Sequence, residues 1–63
     1  MKVRRFILQE YDNRPVPGWR GVDGTVRNTN EEAEALLKEF KEGRGYSPYG
    51  TNEFRIEEFM ENS

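Results

Sequence analysis

The sequence predicts a small α+β domain, ββαβ in element order, with a three-stranded antiparallel sheet in order 2-1-3 and one helix packed on one face. Three observations lead to that reading. Apolar residues recur at helical spacing between Ala33 and Phe40, strand-forming residues cluster near both ends of the chain, and glycine and proline punctuate the intervals. The 63 residues make one domain, with strands at about 2–11, 22–27 and 52–59, a helix at about 30–42, and loops at 12–21 and 43–51.

Lys2–Tyr11 (KVRRFILQEY) is rich in strand formers. Side chains alternate along a strand, so Phe6 and Leu8 share one face while Val3, Ile7 and Tyr11 share the other. Apolar groups on both faces predict a central strand, or one whose second face is covered by a partner. Pro15 and Pro17 exclude regular structure from the loop that follows. Val22–Asn28 reads as a short strand with Val22 and Val26 on the same side.

The helix has a start, a stripe and a stop. Thr29 with Glu32 three places on has the spacing of a capping box, and the acidic first turn suits the positive end of the helix dipole. Ala33, Leu36, Leu37 and Phe40 form one apolar stripe, Glu34 and Lys38 are one turn apart, and Gly43 is suited to a left-handed stop. Ser47–Gly50 (SPYG) reads as a β-turn with proline at its second position. Asn52–Phe59 returns to strand character through Phe54 and Ile56. The alternation breaks at Glu58–Phe59, which predicts a bulge or strand end there and a frayed tail beyond. In order 2-1-3, Arg4 and Arg5 come beside Glu57 and Glu58, a favourable cross-strand arrangement.

The inventory restricts chemistry. The chain has no cysteine and no histidine, so disulfides are impossible and the usual zinc sites and the commonest general base are missing. A domain this small needs other support, and homodimerisation is expected. Ser47, Ser63, Thr25, Thr29 and Thr51 lack a histidine partner, and the pairs Glu31/Glu32 and Glu57/Glu58 point to different sides of their elements. Glycines 18, 21 and 24 do not open a helix after a strand, as a phosphate loop requires, and Asp12, Asn13 and Asp23 lack calcium-loop spacing. No enzymatic activity, cofactor or metal is expected.

Net charge is −2, divided as +3 over residues 1–28 and −5 over 29–63. This balance argues against general nucleic-acid binding, which needs a concentrated basic surface. No stretch is long and apolar enough to be a signal peptide or to span a bilayer, so a cytoplasmic location is expected.

Two contact surfaces stand out. The loops PGWRG and GRGYSPYG set Arg14, Trp19, Arg20, Arg44, Tyr46 and Tyr49 at one end of the predicted sheet. Trp, Tyr and Arg dominate binding hot spots, and stacked arginines and aromatics suit phosphates and bases. The alternative is that Trp19 and the tyrosines fold back as a lid over the helix end. The second surface is the sheet face opposite the helix, where Val3, Ile7 and Tyr11 mark a dimer or partner interface unless the proline loop crosses it. The leading expectation is a non-catalytic interaction protein that binds and modulates or inhibits another macromolecule, with a protein as partner. In size and composition alone, the chain resembles the small inhibitors and modulators carried by bacteriophages and other mobile elements. The second expectation is a module for a small anionic ligand such as a nucleotide, held by the arginine-aromatic loops. The third is a binder of single-stranded nucleic acid.

Overall fold

The computed structural model describes residues 1–14 and 16–62. Strand β1 runs over Lys2–Asp12, β2 over Gly18–Gly21 and β3 over Phe54–Asn62, with helix α1 at Asn30–Lys41. The sheet is antiparallel in order β2-β1-β3. Its core side holds Phe6 and Leu8 of β1, Val22, Ala33 of α1 and Phe54 of β3, all buried. Phe40 completes that layer, meeting the Phe54 ring edge-on with centroids 5.2 Å apart. No helix of the described residues is long and apolar enough to cross a membrane.

The helix forms as its caps dictate. Thr29 Oγ1 accepts from Glu32 N–H at 3.1 Å and donates to Glu32 Oε1 at 3.0 Å. At the other end Gly43 takes φ +83°, and Gly43 and Arg44 N–H donate to Phe40 and Glu39 carbonyls. Glu34 accepts from Asn30 Nδ2 at 3.2 Å, and no Glu34–Lys38 ion pair is present among the described residues. Gly45 is required by packing. A Cβ there would lie 2.4 Å from the Phe40 ring, so only glycine lets the returning chain rest against that aromatic face.

Three expectations are corrected. The second strand is not 22–27; it lies at Gly18–Gly21, inside the segment that the prolines were expected to keep irregular. Pro15 lies outside the described residues; Pro17 lacks an N–H to give to a ladder, and the chain pairs one residue after it. β3 does not bulge or end at Glu58–Phe59. Its register against β1 is unbroken from Phe54 to Asn62, because Phe59 and Glu61 continue the same alternation on the far face. Val22 and Val26 do not share a side: Val22 is buried, while Val26 is 43% exposed.

The reason lies in an excursion between β2 and the helix. Val22 N–H donates to Leu8 O at 2.9 Å, and Phe6 and Arg27 then exchange both main-chain bonds at 2.9 and 2.7 Å. The residues between loop away from the β1 edge, turning at Gly24 with φ +83°. That loop would leave the buried Leu8 N–H without an acceptor. Thr25 supplies it: its hydroxyl accepts from Leu8 N–H at 3.1 Å and donates to Val22 O at 2.6 Å. Thr25 is 3% exposed. Its side chain thus stands in for a missing rung of the ladder.

Thr25→Val should therefore lower unfolding free energy by about 1–3 kcal/mol, the cost of stranding a buried donor. Thr25→Ser keeps the hydroxyl and should lose less than about 1 kcal/mol, since only a methyl group leaves. Urea titrations of the two variants make the comparison.

Candidate functional site

The end of the sheet where β1 finishes is organised by two carboxylates. Glu10 lies on the core side, opposite Arg20 of β2 and Phe54 of β3, and is 0% exposed. Its oxygens are met by neutral donors: the Ser47 hydroxyl, Tyr49 N–H at 3.0 Å, Asn52 N–H at 3.0 Å and the Thr51 hydroxyl at 3.4 Å. Burial pushes the Glu10 carboxyl up, but these donors from Ser47, Tyr49, Asn52 and Thr51 outweigh it and hold it below its ordinary value. The expected β-turn forms, with Gly50 N–H on Ser47 O at 3.3 Å. It is this turn, with Asn52 at φ +57°, that wraps the donors around the carboxylate. Thr51 also donates to Tyr11 O at 2.6 Å, and Tyr11 N–H donates to Glu53 O at 2.9 Å.

Asp12 organises the neighbouring turn. Its Oδ1 accepts from Arg14 N–H at 3.0 Å, an Asx-turn, and its Oδ2 accepts from Arg20 Nε at 2.8 Å. Arg20 Nη2 also donates to Val16 O at 3.1 Å, closing the loop ahead of β2. The Arg14 amide, then the Arg20 side chain, hold the Asp12 carboxyl below its ordinary value.

The expected rim of six residues divides. Tyr46 and Tyr49 line a cleft of about 150 Å³ with Gly21, Val22, Asp23 and Pro48. Tyr46 is 72% exposed, while Tyr49 is half-buried beside Glu10. Asp12 engages the Arg20 guanidinium and the main-chain N–H of Arg14, and Arg44 forms a loose, exposed ion pair with Glu42 at 3.7 Å. Trp19 is on the other side of the sheet. It sits opposite Tyr11, the position that faces away from the helix, and the two rings meet edge-on at 5.6 Å. So Trp19 caps no helix end. It belongs to the open face.

That face brings together the expected Val3, Ile7 and Tyr11, all half-buried, and adds Trp19, Arg55 and Phe59. Arg55 places its Cζ 4.4 Å above the Trp19 ring and donates from Nε to Gln9 Oε1 at 2.7 Å. Gly21 leaves room for Ile7 to lean against β2, since a Cβ there would lie 3.2 Å from Ile7 Cδ1. At the opposite end Arg5 pairs with Glu61 at 2.8 Å and also reaches Asn28. Arg4 pairs with Glu58 at 3.3 Å on the helix side, so the basic start of β1 and acidic end of β3 do meet. The Trp19 ring rests against Tyr11 on this face.

Ser47 and Glu10 have the outline of a nucleophile and base, and the carboxylate's oxygens are already occupied by the donors of residues 47–52. The cleft is small for a ligand site, which usually measures about 300–1,000 Å³. Asp23 is the charged group in its lining, which disfavours an anion. No group of three or more acidic side chains among the described residues is placed to hold a metal ion. Sequence reasoning missed Glu10, Thr25 and Arg55. The signal for Glu10 was its phase, two residues beyond Leu8 on the buried face. Arg55 could be found only once the β1–β3 register was known. Comparison with protein-family models, curated proteins and solved structures finds no match for the chain.

Both carboxylates stabilise the fold only while ionised. A depressed folded-state pKa means that the gain is complete above the unfolded value and is lost as pH falls through the folded one. Stability should be flat from neutrality down to about pH 5 and fall below about pH 4, the ordinary carboxylate range. Glu10→Gln should lose about 1–3 kcal/mol at neutral pH, by turning an acceptor into a donor among donors, and flatten the acid slope. Thermal unfolding across pH measures both effects.

Proposed function

We propose that this chain is a non-catalytic interaction protein that binds another protein through the open face of its sheet and modulates or inhibits that partner. The observation that carries the reading is the cluster of Tyr11, Trp19 and Arg55, ordered by ring and guanidinium stacking on the one face that the helix leaves bare. These residue types give large contact area at small entropic cost, and here they are already held in place before a partner arrives. The charges around them are mixed, Arg5 and Arg55 against Glu57 and Glu61, which suits a protein surface better than a phosphate backbone. A chain that presents these groups on an open face acts by occupying a surface of something else. That is how a modulator or inhibitor of this size would work.

A photo-crosslinking residue placed at Ile7, on the open face, should capture one partner in cells that express the protein. The same residue at Ala35, exposed on the helix, should not. Trp19→Ala and Arg55→Ala should each weaken the captured partner's affinity by at least about 2 kcal/mol, or roughly thirtyfold, while Arg44→Ala changes it by under about 0.5 kcal/mol. Equal capture from Ala35, or unchanged affinity in folded Trp19→Ala protein, contradicts the reading.

A further inference from the structure

β3 is an outer strand of the sheet, nine residues long, with no proline, lysine or bulge to protect its edge. Which of its residues are open to a new strand follows from the ladder. Tyr11 N–H donates to Glu53 O, so that pair is hydrogen-bonded, and such pairs alternate along an antiparallel ladder. Arg55, Glu57, Phe59 and Glu61 therefore direct their main-chain groups to β1. Phe54, Ile56, Glu58, Met60 and Asn62 direct theirs outward, and among the described residues the sheet has no strand on that side.

We propose that β3 pairs antiparallel with β3 of a second copy, about a two-fold axis at Glu58, to form a continuous six-stranded sheet. A two-fold axis normal to the sheet keeps each face on its own side, and centring it on Glu58 uses all five outward positions. This register opposes Arg55 to the partner's Glu61 and Ile56 to the partner's Met60, each pair occurring twice, at the cost of setting Glu57 against the partner's Phe59 and Phe54 against the partner's Asn62. Met60, 53% exposed in the single chain, thereby gains an apolar neighbour. Glu58 faces its own copy, but each Glu58 already has Arg4 at 3.3 Å, so the centre holds two acids and two arginines. The neighbouring registers are worse. Centring on Glu57 sets that residue against itself, Ile56 against the partner's Glu58 and Arg55 against the partner's Phe59. Centring on Phe59 sets Glu57 against the partner's Glu61. Centring on Ile56 also opposes Arg55 to an acid, the partner's Glu57, but pairs three outward positions instead of five, so charge complementarity and the length of the ladder together select one alignment. The dimer would place both open faces, with their Tyr11–Trp19–Arg55 clusters, on one side of a single sheet; it stands or falls independently of what binds there.

Sedimentation equilibrium of the wild-type chain should show concentration-dependent conversion to a particle of twice the 7.5 kDa chain mass. R55E and E61R, each verified as folded by circular dichroism, should each self-associate about tenfold or more weakly, since each places like charges opposite one another twice. An equimolar mixture of the two should recover dimer, because both cross pairs become complementary, and native mass spectrometry would resolve it as the heterodimer. Should a charge variant not fold, a synthetic chain N-methylated at the outward Ile56 amide tests the same edge and should remain a single chain. Wild-type protein that stays a single chain at every soluble concentration overturns the proposal. So do single variants that dimerise as tightly as wild type, a mixture that recovers nothing, or a dimer that survives N-methylation.

Discussion

A buried carboxylate whose hydrogen-bond partners among the described residues are all neutral holds the sheet, the turn and β3 in one arrangement. Glu10 belongs to β1, but every donor on it comes from residues 47–52, at the far end of the chain. An ionised carboxylate in an apolar core is untenable alone, so those donors must be delivered together. Delivering them fixes the Ser47–Gly50 turn, the left-handed Asn52 and the point at which β3 enters the sheet. Tyr11, next along β1, is held by Thr51 and Glu53 of the same segment, and it is the ring against which Trp19 rests. The polar core of one face and the aromatic cluster of the other are therefore coupled through two adjacent residues of one strand.

The helix was legible in the sequence because its signals are local: cap, stripe and stop lie within fifteen or so residues and act through the nearest turn. The strand order was legible for a similar reason, since three strands and one helix leave few ways to close. What could not be read was the identity of groups whose partners are distant. Glu10 looks like any exposed glutamate of a strand until its donors, about forty positions away, are brought round. Its phase with Phe6 and Leu8 was the available hint. The second strand was misplaced because Val22 and Val26 look more strand-like than GWRG, whereas pairing there is decided by the edge of β1. Thr25 carries no signal of its role in the sequence, since the gap in the ladder that it closes exists only once β1 and residues 22–27 are paired.

The expected contact surfaces fared unequally for a physical reason. Loop residues at one end of a sheet are easily grouped on paper, but the face each occupies depends on register to the residue. Arg20 and Trp19 are neighbours in sequence and lie on opposite faces of β2, so one serves Asp12 and the other the open face. The tyrosines remained with the turn, around a cleft of about 150 Å³ that Asp23 also lines. Val3, Ile7 and Tyr11 kept their expected place, since a long central strand fixes its own alternation. The proposed contact function rests on that face, and the arginine-aromatic chemistry expected of the loops is supplied there by Trp19 and Arg55.

The most direct test of the coupling is amide hydrogen exchange at Tyr49 and Asn52, the two main-chain donors on Glu10. In the wild-type protein both should be protected to a degree comparable with Leu8 in the middle of β1. In Glu10→Gln they should lose that protection while Leu8 and Phe6 keep theirs. If Tyr49 and Asn52 exchange at the unprotected rate in the wild-type protein, the carboxylate does not hold the turn, and the central position given to Glu10 is wrong.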